Sequence, residues 1–239
     1  MKSCFDRPDL PFMNDLGRKT IITGHYGSGK TEFSISLAIN LAKTFDDIAI
    51  IDLDIVNPYF RSREKRDILN NAGISVYGSV YEKEIAAELP ALGAGLRAPL
   101  ENNSCKVIID TGGNDTGALV LNQFTKYFTD EETTVLAVVN ANRPDTSCID
   151  GVLKHIKAIE KITNLNVSAI VNNTHMLRQT TADDILKGYA VCEKACAETG
   201  KRMLCNCYPE GIIDPDVLAE SLNDLMPLGL YMRPAWLDK

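Results

Sequence analysis

The chain contains no run of about 20 consecutive apolar residues, the length a helix needs to cross a bilayer, so no membrane span is expected. Residues Met1-Lys2-Ser3-Cys4-Phe5-Asp6-Arg7-Pro8-Asp9 lack the apolar centre of a signal peptide. Positive charge is in deficit: 25 Lys and Arg stand against 32 Asp and Glu, a net charge of −7. A general nucleic-acid surface needs basic excess, so that class is disfavoured. The seven cysteines are odd in number and loosely spaced, and only three histidines accompany them, which argues against a disulfide framework and a zinc set. Free thiols in a reducing, cytoplasmic setting are the expectation. Internal repeats and low-complexity linkers are missing. The stretch Leu225 to Lys239 carries Pro227, Gly229 and Pro234, which oppose a membrane-seeking helix.

What is present suits a well-packed α/β domain: 239 residues, 45% of them hydrophobic. Residues 1–17 read as a polar, proline-containing arm, and 18–239 as one domain. Strands are expected at Lys19–Thr23, Asp47–Leu53, Gly73–Tyr77, Lys106–Asp110, Thr133–Asn140, Val167–Asn172 and Arg202–Cys207. Most are continuous apolar runs, such as Val107-Ile108-Ile109, the pattern of strands covered on both faces. Helical stretches lie between them: Glu32 to Lys43, Thr146 to about Thr163 with Ile149, Val152, Ile156 and Ile159 on one stripe, and Thr181 to Glu198 ending at Gly200. Across 78–104, Pro90, Gly93, Gly95 and Pro99 suggest two short helices in place of one long one. The sum is a doubly wound, mostly parallel sheet of about seven strands with helices on both faces, and ligands at the strands' carboxyl ends.

Residues Gly24-His25-Tyr26-Gly27-Ser28-Gly29-Lys30-Thr31 fit the phosphate-loop pattern G-x-x-x-x-G-K-[ST], and they follow an apolar strand and precede a helix, as that loop must. Gly27 and Gly29 let backbone N–H groups turn inward, and the helix dipole adds positive potential. Lys30 is positioned to reach the β- and γ-phosphates, and the Thr31 hydroxyl to ligate Mg²⁺. The bound species is therefore expected to be a nucleoside triphosphate with Mg²⁺.

Three further strand ends supply partners. Asp52 and Asp54, at i and i+2 of an extended segment, share a face. One can join the Mg²⁺ shell while the other orients the attacking water, although either can equally cap a turn. Asp110-Thr111-Gly112-Gly113 closes an apolar run in the manner of a Walker B aspartate, with Gly112 and Gly113 able to approach a γ-phosphate. Asn172 carries the donor and acceptor that match the N6/N7 edge of adenine, or it caps the next turn. The sequence contains no Asn-Lys-x-Asp string, so ATP is favoured over GTP.

The set Gly24–Thr31, Asp52-x-Asp54, Asp110-Thr111-Gly112-Gly113 and Asn172 resembles the MinD/ParA branch of the SIMIBI-class P-loop ATPases, which also includes the nitrogenase iron protein and the nucleotide-binding domain of cobyrinic acid a,c-diamide synthase. The resemblance runs from about Lys19 to Pro215. It implies that Asp54 serves hydrolysis in a first switch, that Asp110 heads a second, that Asn172 contacts adenine, and that Tyr208-Pro209-Glu210-Gly211 packs backbone, Pro209 included, around the base. It further implies an ATPase that pairs two copies into a homodimer. In one place the sequence departs from that branch. The branch's signature Lys after the first loop glycine is His25 here, shorter and only partly charged near neutrality, followed by Tyr26 where Gly is usual. His25, Arg61 or Arg63 could take over that work, or Arg61 and Arg63 could make surface ion pairs with residues such as Glu64.

Among the remaining side chains, Cys192 and Cys196 fall on the buried stripe of a helix. Cys205 and Cys207 share a strand face about 7 Å apart, too far for a disulfide. His155 reads as a surface residue, His175 as a base or substrate contact in reserve, and Arg143 as either a ligand contact or a loop brace. The expected function is Mg-ATP binding with slow hydrolysis, acting on an unknown protein or small-molecule partner. The alternatives are an ATP-dependent small-molecule ligase or kinase of the dethiobiotin-synthetase kind, and a nucleotide-gated binding module without turnover.

Overall fold

The computed structural model describes residues 10–53, 65–78, 90–113, 120–129 and 131–232. Its centre is an eight-stranded sheet: β1 (Lys19–Gly24), β2 (Ile48–Asp52), β3 (Ile74–Gly78), β4 (Lys106–Asp110), β5 (Thr133–Val139), β6 (Ala169–Asn172), β7 (Arg202–Pro209) and β8 (Leu225–Leu228). The order is β3-β2-β4-β1-β5-β6-β7-β8, and every pairing is parallel. Helices α1 (Lys30–Leu41), α2 (Arg66–Asn71), α3 (Pro90–Glu101), α4 (Ile149–Thr163), α5 (Ala182–Thr199) and α6 (Pro215–Ala219) connect the strands.

Alternation along the strands sorts the core into two layers. Ile22, Ile48, Ile50, Ile108, Leu136, Val138 and Val171 face α1, with Phe33, Leu37 and Leu41. Ile21, Ile51, Val107, Ile109, Val139 and Ile170 face the opposite layer, with Leu96 of α3, Val152 and Ile156 of α4, and Cys192 of α5. Each such fully buried aliphatic side chain contributes roughly 1.5–3 kcal/mol relative to exposure, and because both faces are covered the strands read as unbroken apolar runs.

The expected strands are all present, and β8 is an eighth. Leu225-Met226-Pro227-Leu228 was masked by its proline, which an edge strand tolerates because the missing N–H faces away from the ladder. The 78–104 region also differs from expectation. Residues 79–89 lie outside the described residues; from Pro90 to Glu101 the chain is one helix, α3, which runs through Gly93, Gly95 and Pro99. Leu96 and Leu100 are buried in the second layer beside Phe124 and Phe128, and that packing overrides the weak helix propensity of the sequence. A 3₁₀ helix at Val120–Tyr127 had no counterpart in the sequence reading. Within the expected arm, a 3₁₀ turn at Pro11–Asp15 places Leu10, Phe12, Met13 and Leu16 in the first core layer. Helix α5 starts at a capping box, Thr181 with Asp184, and ends at Gly200 in the left-handed conformation, as its sequence signals.

Candidate functional site

The loop between β1 and α1 lies at the carboxyl edge of the sheet, where open α/β sheets bind ligands. Gly27 (φ +74°) and Gly29 (φ +82°) hold the left-handed conformation that lets the chain wrap inward, and Gly29 is the N-cap of α1. The Ser28 N–H donates to the His25 carbonyl at 3.1 Å, closing the turn. The Lys30 Nζ donates to the same carbonyl at 3.2 Å, so the ammonium curls back over the loop. Thr31 follows, half-buried, at the first turn of α1.

Two buried carboxylates flank this loop. Asp52 ends β2 and Asp110 ends β4, and the two are register partners on adjacent strands. Thr111 fixes the end of β4 against β1: its N–H and hydroxyl both donate to the Ile22 carbonyl, at 3.2 and 2.8 Å. The chain then passes through Gly112 to Gly113, which lies so close to the phosphate loop that a Cβ there would stand 2.8 Å from Lys30 Nζ and 2.8 Å from Tyr26 Cα. Lys30 thus meets the Gly112–Gly113 loop that follows Asp110, the register partner of Asp52, and Thr31 is the next residue of α1. Among the described residues, no group of three or more His, Cys, Asp or Glu forms a metal cage. Asp54, Arg61 and Arg63 lie outside the described residues.

At the far side of the loop the structure separates the two asparagines at the end of β6. Asn172, which the sequence assigned to adenine, is fully buried, and its side chain turns towards α5. Its Nδ2 donates to Ile185 O and Asn206 Oδ1, both at 3.0 Å, and its Oδ1 accepts from the Thr174 N–H at 3.3 Å. A register shift in the β6–β7 pairing sets Asn206 opposite Asn172, and that pairing captures the amide. Asn173 faces the phosphate loop instead: its Nδ2 donates to Ser28 O at 2.7 Å. Strand parity explains the swap, since Asn173 shares a face with Val171, which packs in the α1 layer. The sequence carried that parity, but not which face would carry α1.

The next residues complete a wall around the loop. Arg143 Nε donates to Gly27 O at 2.9 Å, so this arginine braces the phosphate loop. His175 is buried, and Nε2 lies 3.1 Å from where a Cβ on Gly29 would stand. Burial, aided by the Arg143 charge, pushes its pKa down to about 4 and keeps the ring neutral. Leu177, two residues on, has φ +55°, a strained conformation for a leucine. Hydrogen bonds lace this loop to the segment just after β5: Asn140 Nδ2 donates to His175 O at 3.1 Å, and the Ala141 N–H to Thr174 Oγ1 at 3.0 Å.

His25 takes part in a contact within its own chain. Its Nε2 lies 3.6 Å from Asp145 Oδ2, and its ring meets that of His155 edge-on at 5.6 Å between centroids. His155 is therefore a neighbour of the phosphate loop and not the isolated surface residue the sequence suggested. Tyr26 stands 63% exposed at the loop's tip. Pro209 is buried at the end of β7, opposite Leu228 of β8, with Gly211 in the left-handed conformation just beyond. Cys192, Cys205 and Cys207 are buried in the core, and burial pushes the Cys192 and Cys207 thiols well up.

One buried group went unnoticed in the sequence. Glu32, next to Thr31, is buried, and both its carboxylate oxygens accept from the Met232 N–H, at 3.1 and 3.0 Å. Desolvation raises its pKa to about 7.

No protein-family model matches the sequence, and no curated protein does either. Solved structures do. The cell division protein FtsY of Thermotoga maritima is 19% identical with a TM-score of 0.53, over 77% of this chain and 59% of that one. The signal recognition particle 54 kDa protein of Aeropyrum pernix, solved with GDP, is 19% identical at 0.50, over 83% and 42%. FtsY of Mycoplasma mycoides is 17% identical at 0.54, over 77% and 58%. This chain thus spans about half the length of the proteins it resembles. At that identity the likeness is one of architecture: the chain has an α/β fold of the P-loop NTPase kind.

Proposed function

We propose that the protein binds Mg-ATP across the loop 24–31 and slowly hydrolyses its γ-phosphate, as a SIMIBI-class nucleotide switch related to the MinD/ParA branch. The observation that carries this reading is the convergence of Lys30 with the Gly113 loop beside the register pair Asp52–Asp110. A phosphate loop with a lysine, a facing glycine loop and two carboxylates is the set of parts that phosphoryl transfer requires. The GDP held by the Aeropyrum pernix protein lends support to a nucleotide as ligand.

The backbone N–H groups of Gly27, Gly29, Lys30 and Thr31, at the start of α1, hold the phosphate oxygens. Lys30 leaves the His25 carbonyl and neutralises the β- and γ-phosphates. The oxygen donors Thr31, Asp110 and Asp52 suit a hard cation, and Mg²⁺, which uses one or two carboxylates alongside phosphate oxygens, supplies charge neutralisation there. Asp54 is assigned the orientation of the attacking water. Asn173, with its amide facing the loop, takes the base-contacting role in place of Asn172. The sequence Asn173-Thr174-His175-Met176 stands where a guanine reader would carry Asn-Lys-x-Asp, which favours adenine. Two copies are expected to associate when ATP is bound, while His25 stays engaged with Asp145 in its own chain.

Calorimetric titration with Mg-ATP, Mg-ADP and Mg-GTP tests the binding claim, with Lys30→Ala expected to abolish tight binding. Elution volume with ADP against a non-hydrolysable ATP analogue tests the pairing. Asp54→Ala should bind ATP and turn it over far more slowly. Normal turnover by that variant removes Asp54 from the mechanism.

A further inference from the structure

The two ring nitrogens of His175 are in different situations. Nδ1 lies 3.2 Å from the backbone N of Leu177. A backbone N–H can only donate, so Nδ1 is the acceptor and the proton of the neutral ring sits on Nε2. That Nε2 is buried and has no hydrogen-bond partner among the described residues. Asn173 Oδ1 is likewise buried and has no hydrogen-bond partner among the described residues. Its orientation is fixed because the other end of the amide faces Ser28 O, a carbonyl that only accepts. Both side chains stand against the same glycine: a Cβ on Gly29 would lie 3.1 Å from His175 Nε2 and 2.5 Å from Asn173 Nδ2, the nitrogen of the amide whose oxygen is unpartnered. Buried polar groups are almost always satisfied, so the missing partners point to a ligand.

The chemistry of that ligand follows from the pair. A ring held neutral is a poor cation for a phosphate, but a good N–H donor for an aromatic nitrogen. Adenine presents an acceptor, N7, beside a donor, the 6-amino group; guanine presents two acceptors, N7 and O6. One donor and one acceptor, on two side chains that share Gly29 as neighbour, complement adenine, and guanine would set its O6 against Asn173 Oδ1. We propose that His175 is a specificity-determining residue of the nucleotide site: its Nε2–H donates to N7 of a bound adenine while Asn173 Oδ1 accepts from the 6-amino group. The assignment rests on the nucleotide reading above and adds a base-reading residue to it.

Titration of the full chain with Mg-ATP, Mg-7-deaza-ATP and Mg-ITP tests it. The wild type should bind 7-deaza-ATP about tenfold more weakly than ATP, because loss of N7 leaves a buried N–H unpaired. ITP, with an oxygen at position 6, should be weaker by a similar factor. His175→Leu should bind ATP and 7-deaza-ATP equally, yet still discriminate against ITP through Asn173. His175→Gln, which keeps an N–H donor, should retain part of the 7-deaza effect. Equal wild-type affinity for ATP and 7-deaza-ATP overturns the proposal without any variant being needed. Full discrimination in His175→Leu also overturns it, by assigning N7 to the second amide proton of Asn173. The nucleotide reading fails separately, by absence of any Lys30-dependent ATP binding.

Discussion

Asn173 donates its side-chain N–H to the carbonyl of Ser28 at 2.7 Å, joining the end of β6 to the middle of the phosphate loop across 145 residues of sequence. Its neighbour Asn172 spends the same amide chemistry inside the core. Two adjacent, chemically identical residues thus divide into one tied to the loop 24–31 and one tied into the core.

That division gives opposite mutational signatures. Asn172→Ala leaves Ile185 O and Asn206 Oδ1 without their donor and should cost about 2–3 kcal/mol of stability. Asn173→Ala should cost less stability but weaken ATP binding about tenfold, through loss of the base contact and a looser loop. Denaturant midpoints paired with ATP titrations check both. A larger affinity loss in Asn172→Ala than in Asn173→Ala would return the base contact to Asn172.

Gly188 of α5 is a packing requirement of the same strand end. A Cβ there would collide with Thr174 Oγ1 and stand 2.5 Å from Asn172 Oδ1. Gly188→Ala should therefore destabilise by about 1–3 kcal/mol, since overpacking forces backbone movement. It should also lower ATP affinity, because Asn173 lies between the two displaced residues. Thermal unfolding and titration read the two effects.

Glu32 makes stability depend on pH. Its folded pKa is raised from 4.5 to about 7, chiefly by desolvation and against the pull of the Met232 and Tyr231 backbone N–H groups and Lys65. The folded state thus binds the extra proton, and the stabilisation is complete below pH 4.5 and lost as pH rises towards 7. The change amounts to about 3 kcal/mol. His175 works in the other direction, its stability contribution falling away as pH drops from 6.5 towards 4. Glu32→Gln should remove only the first effect, so urea midpoints of wild type and variant should converge at pH 5 and separate, variant higher, at pH 8.

Metal removal has a matching signature. Chelation of Mg²⁺ should weaken wild-type ATP binding at least about tenfold. Asp110→Asn, and to a lesser degree Asp52→Asn, should bind weakly with Mg²⁺ and show little further loss on chelation. An Asp110→Asn protein with an unaltered Mg²⁺ requirement would move the metal elsewhere.

Much of this molecule was written in local sequence. Apolar runs such as Val107-Ile108-Ile109 announce strands covered on both sides, because every second residue meets one helical layer and its neighbours meet the other. Thr181 and Asp184 announce the start of α5, and Gly200 its end, because capping is a matter of a few adjacent residues. The strand–loop–helix conformation of 19–41 was legible for the same reason: two left-handed glycines, a lysine and the first turn of a helix are contiguous.

What tertiary structure decided are relations between distant residues. It chose Asn173 over Asn172, since a strand's alternation is local but the side on which α1 packs is not. It carried α3 through Gly93, Gly95 and Pro99, since burial of Leu96 and Leu100 outweighs propensity. It added β8 despite Pro227, since an edge needs only one row of hydrogen bonds. It also buried Glu32 beneath the backbone of Met232 and brought Arg143 onto Gly27, contacts between residues 200 and 116 positions apart. Local sequence specifies conformations; which surfaces then meet is settled only when the whole chain competes to exclude water.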